Sequence, residues 1–199
     1  MFKDTMTKEQ YPPGDFAIWI IIYVELLTFA LLFFGYAFSR RADIELFNTS
    51  QEVLSQTSGF INTFILITSS YFVVKAVNNM KSMTKDNYKE LNIQASKWLV
   101  FAMICAMAFL VVKITEFSHI FGLGINLSTN KFFMFYILLT GFHFMHVLLG
   151  SVILFNIYQK TKNYGYTPDD YSGFETGASY WHMVDLLWIV LFPLIYIIR

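Results

Sequence analysis

Five long apolar runs dominate this sequence of 199 residues and restrict what it can fold into. The runs cover residues 16–38, 59–77, 97–121, 132–158 and 178–198. A helix crosses a bilayer with about 20 largely apolar residues, whereas a barrel strand alternates over about 10. Only 14% of the residues are charged, against about 25% in a typical soluble domain. The sequence therefore predicts one all-α domain over residues 1–199, an integral membrane bundle of five transmembrane helices.

The segments between the runs are polar and only about 10 to 20 residues long, so they leave no room for an extramembrane domain. Asp15 precedes the first run and is predicted to cap its helix. A net charge of zero gives no indication of a nucleic acid partner. The only cysteine is Cys105, which excludes an internal disulfide and any four-cysteine zinc or iron–sulfur site.

Lysine and arginine residues in the segments between spans predict the orientation, because cytoplasmic segments carry more of them. The side of the N-terminus has Lys3, Lys8, Lys75, Lys81, Lys85, Lys89, Lys97, Lys160 and Lys162. The opposite side has Arg40, Arg41, Lys131 and Arg199. We therefore expect the N-terminus in the cytoplasm and the C-terminus outside.

Eight ionisable side chains fall inside the predicted spans, where each costs roughly 2.5–3.5 kcal/mol on insertion scales. An inner group, at middle to inner depth, comprises Glu25, His143, His146, His182 and Asp185. An outer group, on the third span, comprises Lys113, Glu116 and His119. The i,i+3 pairs are His143/His146, His182/Asp185, Lys113/Glu116 and Glu116/His119. Each pair shares one helix face, and we expect these faces to point into the bundle.

Small and aromatic residues add two further expectations. Gly141, Gly150 and the Gly177–Ser179 segment are expected to allow close helix approach. The tryptophans are expected at the membrane interfaces and in lipid contacts; they are Trp19, Trp98, Trp181 and Trp188.

Three interpretations of the inner group remain open. The first is a metal or haem site, although the i,i+3 spacing of His143 and His146 cannot place them on opposite sides of one haem. The second is a proton or ion pathway. In the third, the five side chains satisfy one another by hydrogen bonds and fix helix packing. In the outer group, Lys113 either pairs with Glu116 or extends to the outer surface.

The order of five motifs resembles subunit III of haem–copper respiratory oxidases. The matching stretches are VELLTFALLFFGYAF (24–38), INTFILITSS (61–70), KITEFSH (113–119), LLTGFHFMHVLLGS (138–151) and GFETGASYWHMVDLLWIVLFPLIY (173–196). Position by position, Glu25 and Glu116 match the family's glutamates. His143, His146, His182 and Asp185 match the polar positions of its last two helices.

The resemblance implies an accessory subunit without a catalytic centre, haem, copper or other metal of its own. Its implied partners are the catalytic subunit I, which holds haem and copper, subunit II and membrane lipids, in the bacterial cytoplasmic membrane. Long members have two more helices at the start, which form one arm of a cleft for phospholipid. The five-helix form resembles subunits of quinol oxidases and proteins associated with nitric oxide reductases. The alternative function is a free-standing proton-coupled transporter.

Overall fold

The computed structural model describes residues 14–199 as a bundle of helices. The α-helices are α1 (Phe16–Ala42), α2 (Ile44–Gln51), α3 (Gln56–Lys81), α4 (Tyr88–Gly122), α5 (Lys131–Lys162) and α6 (Ser172–Phe192). A π-helical turn, Pro193–Ile197, continues α6. Lys3 and Lys8, which contribute to the predicted orientation, lie outside the described residues.

Five of these helices are long and apolar enough to cross a membrane: α1, α3, α4, α5 and α6 with its π-helical turn. This confirms the predicted all-α fold with five spans. The predicted cap is also present, because the Asp15 side chain accepts a hydrogen bond from the backbone N–H of Ala17 at 3.2 Å. Several helices extend beyond their apolar runs, since helical hydrogen bonding continues where polar side chains reach the interface.

The short helix α2 lies within residues 39–58, which the sequence predicts only as a polar link between the first two spans. Its position depends on Phe47, which is buried and contacts the rings of Tyr36 and Phe132 at 5.3 and 5.7 Å between centroids. A helix of 8 residues is too short to appear in the sequence as an apolar run of membrane-spanning length. Aromatic packing from two other helices holds it in place.

The helices α3, α4, α5 and α6 each pack on their neighbours in a ring, and α1 lies against α5 and α6. Two hydrogen bonds hold the starts of α1 and α6 level. The Gly14 N–H donates to Glu175 Oε2 at 3.3 Å, and the Asp15 N–H donates to Thr176 Oγ1 at 2.9 Å. Equal rise along the two helices then places Glu25 and Asp185 at about the same depth.

The π-helical turn begins at Pro193, which has no N–H to donate and whose ring crowds the preceding turn. The helix widens there, and the Ile198 N–H donates to the carbonyl of Pro193 at 3.0 Å, a π-type bond. Tyr196 lies within this turn and is fully buried. The turn therefore directs a phenol hydroxyl into the bundle.

Two of the expected small residues do lie at close helix contacts. A Cβ added to Gly150 would lie 2.8 Å from the indole ring of Trp181, and one added to Gly177 would overlap Ile157. The expectation is wrong for Gly141, because a Cβ there would meet nothing within 4 Å. Whether a glycine is needed for close packing depends on the side chains of the neighbouring helix, which the sequence alone does not identify.

These contacts predict opposite effects for two alanine substitutions in α5. Gly150→Ala should lower the free energy of unfolding by about 1–3 kcal/mol, because the added methyl must displace Trp181. Gly141→Ala, the matched control, should leave stability unchanged or raise it by up to about 1 kcal/mol through helix propensity. Unfolding by denaturing detergent, followed by circular dichroism, measures both. Equal effects of the two substitutions would contradict the contact.

Candidate functional site: polar groups inside the bundle

Lys113 and Glu116 form an ion pair enclosed between α4, α5 and the π-helical turn. The Lys113 side chain is 0% exposed, and its Nζ lies 3.2 Å from Glu116 Oε2. Nζ also donates to the hydroxyl of Tyr196 at 2.9 Å. The alternative in which Lys113 extends to the outer surface is therefore excluded.

The other oxygen of the Glu116 carboxylate is satisfied by two phenols. Oε1 accepts hydrogen bonds from Tyr136 at 2.7 Å and from Tyr196. Tyr196 therefore accepts from Lys113 and donates to Glu116 with the same hydroxyl. Removing charges from water is tolerable only when hydrogen bonds replace the lost hydration, and three groups do so here.

Four aromatic rings surround the Lys113 ammonium. Its Nζ lies 5.0–5.6 Å from the ring centroids of Phe117, Tyr136, Trp188 and Tyr196. Such rings attract a cation through their electron-rich faces, most strongly where water is excluded.

The expectation that the tryptophans lie at the interfaces is wrong for Trp188 and Trp181, which are both fully buried.

His119 does not join this ion pair. It is exposed and lines an outer cleft of about 250 Å³ together with Ser55, Ser58 and Thr115. Glu116 forms part of the wall of this cleft. His119 stands three positions after Glu116, the same spacing as from Lys113 to Glu116, so i,i+3 spacing alone does not decide whether two side chains meet.

In the inner group, Glu25 pairs with His146 and joins α1 to α5. Glu25 Oε2 lies 3.0 Å from His146 Nε2. The other ring nitrogen, Nδ1, lies 2.8 Å from the carbonyl oxygen of Phe142, so it carries a proton and donates. Nε2 is therefore the ring nitrogen left to face the Glu25 carboxyl group.

His143 turns toward α6 instead. Its Nε2 lies 3.0 Å from the carbonyl oxygen of Val184, and its ring packs against Phe109 and Trp188. Its Nδ1 is buried and has no hydrogen-bond partner within residues 14–199. His143 and His146 therefore contact different helices despite their i,i+3 spacing.

His182 and Asp185 form a third unit between α6 and α3. His182 Nδ1 lies 2.8 Å from Ser70 Oγ and 3.5 Å from Asp185 Oδ2. The His182 side chain is 37% exposed, whereas that of Asp185 is 11% exposed. Asp185 thus points into the bundle, whereas His182 is half-buried at the edge of the contact between α6 and α3.

The structure therefore divides the inner group into three separate units rather than one network. Three partners of these groups were not predicted from the sequence: Ser70, Tyr136 and Tyr196. Each of these residues carries a hydroxyl group inside an apolar run, which indicates that it needs a hydrogen-bond partner. The partner could not be predicted, because helical periodicity does not reveal which helices are neighbours. Within residues 14–199, no three His, Cys, Asp or Glu side chains lie close enough together to hold one metal ion.

Fold and site together define a class: a helical membrane protein with five candidate spans and ionisable groups paired between its helices. The model of the family described as cytochrome c oxidase subunit III matches residues 14–199. The chain belongs to the cytochrome c oxidase subunit III family.

Curated relatives agree with this assignment. The chain is 32% identical to cytochrome c oxidase subunit 3 of Synechocystis sp. over 69% of its own length and 55% of that protein. It is 29% identical to the subunit 3 of Alkalihalophilus pseudofirmus cytochrome c oxidase, over 90% of this chain and 84% of the relative. It is also 29% identical to quinol oxidase subunit 3 of Bacillus subtilis, with the same coverage of both chains. The chain thus spans about half the length of the Synechocystis protein.

The enclosed ion pair predicts non-additive effects of substitution. Lys113→Met leaves Glu116 as an unpaired buried carboxylate, and Glu116→Gln leaves an unpaired ammonium. Each single change should therefore cost about 3–5 kcal/mol. The double variant leaves no orphaned charge and should be clearly more stable than the sum of the single effects implies. Thermal unfolding in detergent measures all four proteins. Additive losses would contradict the pairing.

Proposed function

We propose that this chain is the non-catalytic subunit III of a haem–copper terminal oxidase in a bacterial cytoplasmic membrane. In this role it packs on the catalytic subunit I, which holds the haem and copper, and also contacts subunit II. It supports the stability of the catalytic subunit and its uptake of protons. The match of the family model across residues 14–199 carries the proposal.

The geometry of the polar groups agrees with a supporting role. Lys113 pairs with Glu116 and Glu25 with His146, so these charges are used to join helices within the bundle. No hydrogen bond within residues 14–199 connects the outer pair to the inner units. Nothing in the fold or in the comparisons favours a free-standing transporter.

Purification in mild detergent tests this function. We expect the tagged chain to bring a second, haem-bearing polypeptide with it, detected by a Soret band and by mass spectrometry. After the complex is separated by a harsher detergent, the isolated chain should show no Soret band and no stoichiometric metal. A haem-free preparation from mild detergent would contradict the proposed assembly. About one equivalent of haem iron, copper or zinc on the isolated chain would contradict its accessory role.

We further propose that the N-terminus lies in the cytoplasm, as the excess of lysine on that side indicates. Two single-cysteine variants in a Cys105→Ala background test this. In intact cells, a membrane-impermeant maleimide should label Ser128→Cys, between α4 and α5, but not Asp86→Cys, between α3 and α4. Opening the membrane should make both accessible, which controls for reactivity. The reverse pattern would show the opposite orientation.

A further inference from the structure

A pocket of about 340 Å³ opens at the outer end of the bundle, where α1, α2 and the residues around the π-helical turn meet. Three arginines line it: Arg40 and Arg41 from the last turn of α1, and Arg199. The other lining residues are aromatic or aliphatic: Tyr36, Ala37, Ile44, Leu194 and Ile198. The pocket therefore combines a cationic part with an apolar part.

These arginines are the part of the sequence that agrees least with the proposed orientation. The side opposite the N-terminus has four lysine and arginine residues: Arg40, Arg41, Lys131 and Arg199. Three of the four line this one pocket. Because membrane proteins carry most of these residues on the cytoplasmic side, their concentration at one outer position indicates an anionic ligand.

Arg40 is fixed in place but keeps its charge. Its Nη1 donates to the carbonyl oxygen of Ile198, and its Nη2 donates to Asn48 Oδ1 at 3.1 Å. Both acceptors are uncharged. A guanidinium group has five N–H donors, so three of them have no acceptor within residues 14–199.

The other two arginines are exposed and at most weakly neutralised. Within the part of the chain that the structure describes, no carboxylate pairs with Arg41. Arg199 Nη1 lies 3.7 Å from Glu52 Oε1, but these side chains are 54% and 64% exposed, so water weakens their attraction. Asp43 and Glu45 follow α1 in the chain, and neither forms an ion pair among residues 14–199.

The depth of the pocket matches the boundary between lipid headgroups and acyl chains. The first apolar run ends at residue 38, just before Arg40, and the last ends at residue 198, directly before Arg199. Phe34 and Phe38 precede the arginines on α1 and are 63% and 71% exposed, as expected for side chains in contact with lipid. The guanidinium groups therefore lie at the level of lipid phosphates, with the apolar lining beside the acyl chains.

We propose that this pocket binds an anionic phospholipid, whose phosphate group is held by Arg40, Arg41 and Arg199. Guanidinium groups suit this ligand because their planar fork donates two parallel hydrogen bonds to phosphate oxygens. The apolar lining residues contact the upper part of an acyl chain. A free phosphate ion would meet the same guanidinium groups but leave the apolar part unfilled. The inference goes beyond the proposed function and depends only on residues of this chain.

Crosslinking in a membrane of known composition tests the site. The tagged full-length chain, with any polypeptide that copurifies, is placed in vesicles containing a minority of phosphatidylglycerol in phosphatidylcholine. A small photoreactive amino acid replaces Ile44, which lines the pocket and is 54% exposed. In the control it replaces Leu127, which is 53% exposed between α4 and α5. Mass spectrometry then gives the ratio of the two lipids among the adducts.

We expect phosphatidylglycerol to be enriched among the adducts at position 44 by at least about tenfold over its share of the bilayer, since one cationic residue near an anionic lipid contributes about fivefold. At position 127, the adducts should match the composition of the bilayer.

Substitutions of single cationic residues test the role of the arginines. Arg41→Gln should lower the enrichment at position 44 about fivefold. Arg41→Lys, which keeps the charge but loses the planar fork, should retain part of it. Lys131→Gln is the matched control, because Lys131 is an exposed cation at the start of α5 outside the pocket. It should leave the enrichment unchanged.

Four results would overturn the proposal. Adducts at position 44 that match the bilayer would show ordinary lipid contact without a site. Equal losses for Arg41→Gln and Lys131→Gln would show a general surface potential. Enrichment removed by inorganic phosphate, but not by chloride at the same ionic strength, would assign the pocket to free phosphate. A crosslink from position 44 to a polypeptide would show that a protein covers the pocket.

Discussion

The requirement that polar groups be satisfied inside a bilayer determines how this bundle is assembled. The four enclosed groups of the outer site, Lys113, Glu116, Tyr136 and Tyr196, come from α4, α5 and the π-helical turn. Apolar surfaces in lipid have no strong preference for each other, since acyl chains are equally apolar. Hydrogen bonds and close packing therefore decide which helices meet, and these four residues join three segments at one point.

Hydrogen bonds between polar groups also attach α1 to the bundle, although fewer residues take part. This helix lies outside the ring of α3 to α6, and most of its exposed residues are apolar. Its start is fixed by hydrogen bonds to α6 at Gly14 and Asp15, and its middle by Glu25 and His146. The Glu25 carboxyl group and the buried ring of Phe29, which packs on Phe142 and His146, together fix the rotation of α1 against α5.

The sequence predicted the number of spans and the ionisable residues inside them. These properties depend on composition and on the length of apolar runs, which need no knowledge of neighbours. The partners of these residues could not be predicted. His143 and His146 differ by about 60° around α5, which is enough to direct one toward α6 and the other toward α1. Tyr196 lies in a π-helical turn, and a period of 3.6 residues misplaces its side chain.

The π-helical turn has a consequence for the timing of membrane insertion. Tyr196 follows Lys113 by 83 residues, so at about 5–20 residues per second it is synthesised about 4–17 s later. During that interval Lys113 and Glu116, one turn apart on α4, neutralise each other without the phenol that completes the site. The charged span therefore enters the membrane as a self-paired helix, and arrival of the π-helical turn converts it into a fixed part of the bundle.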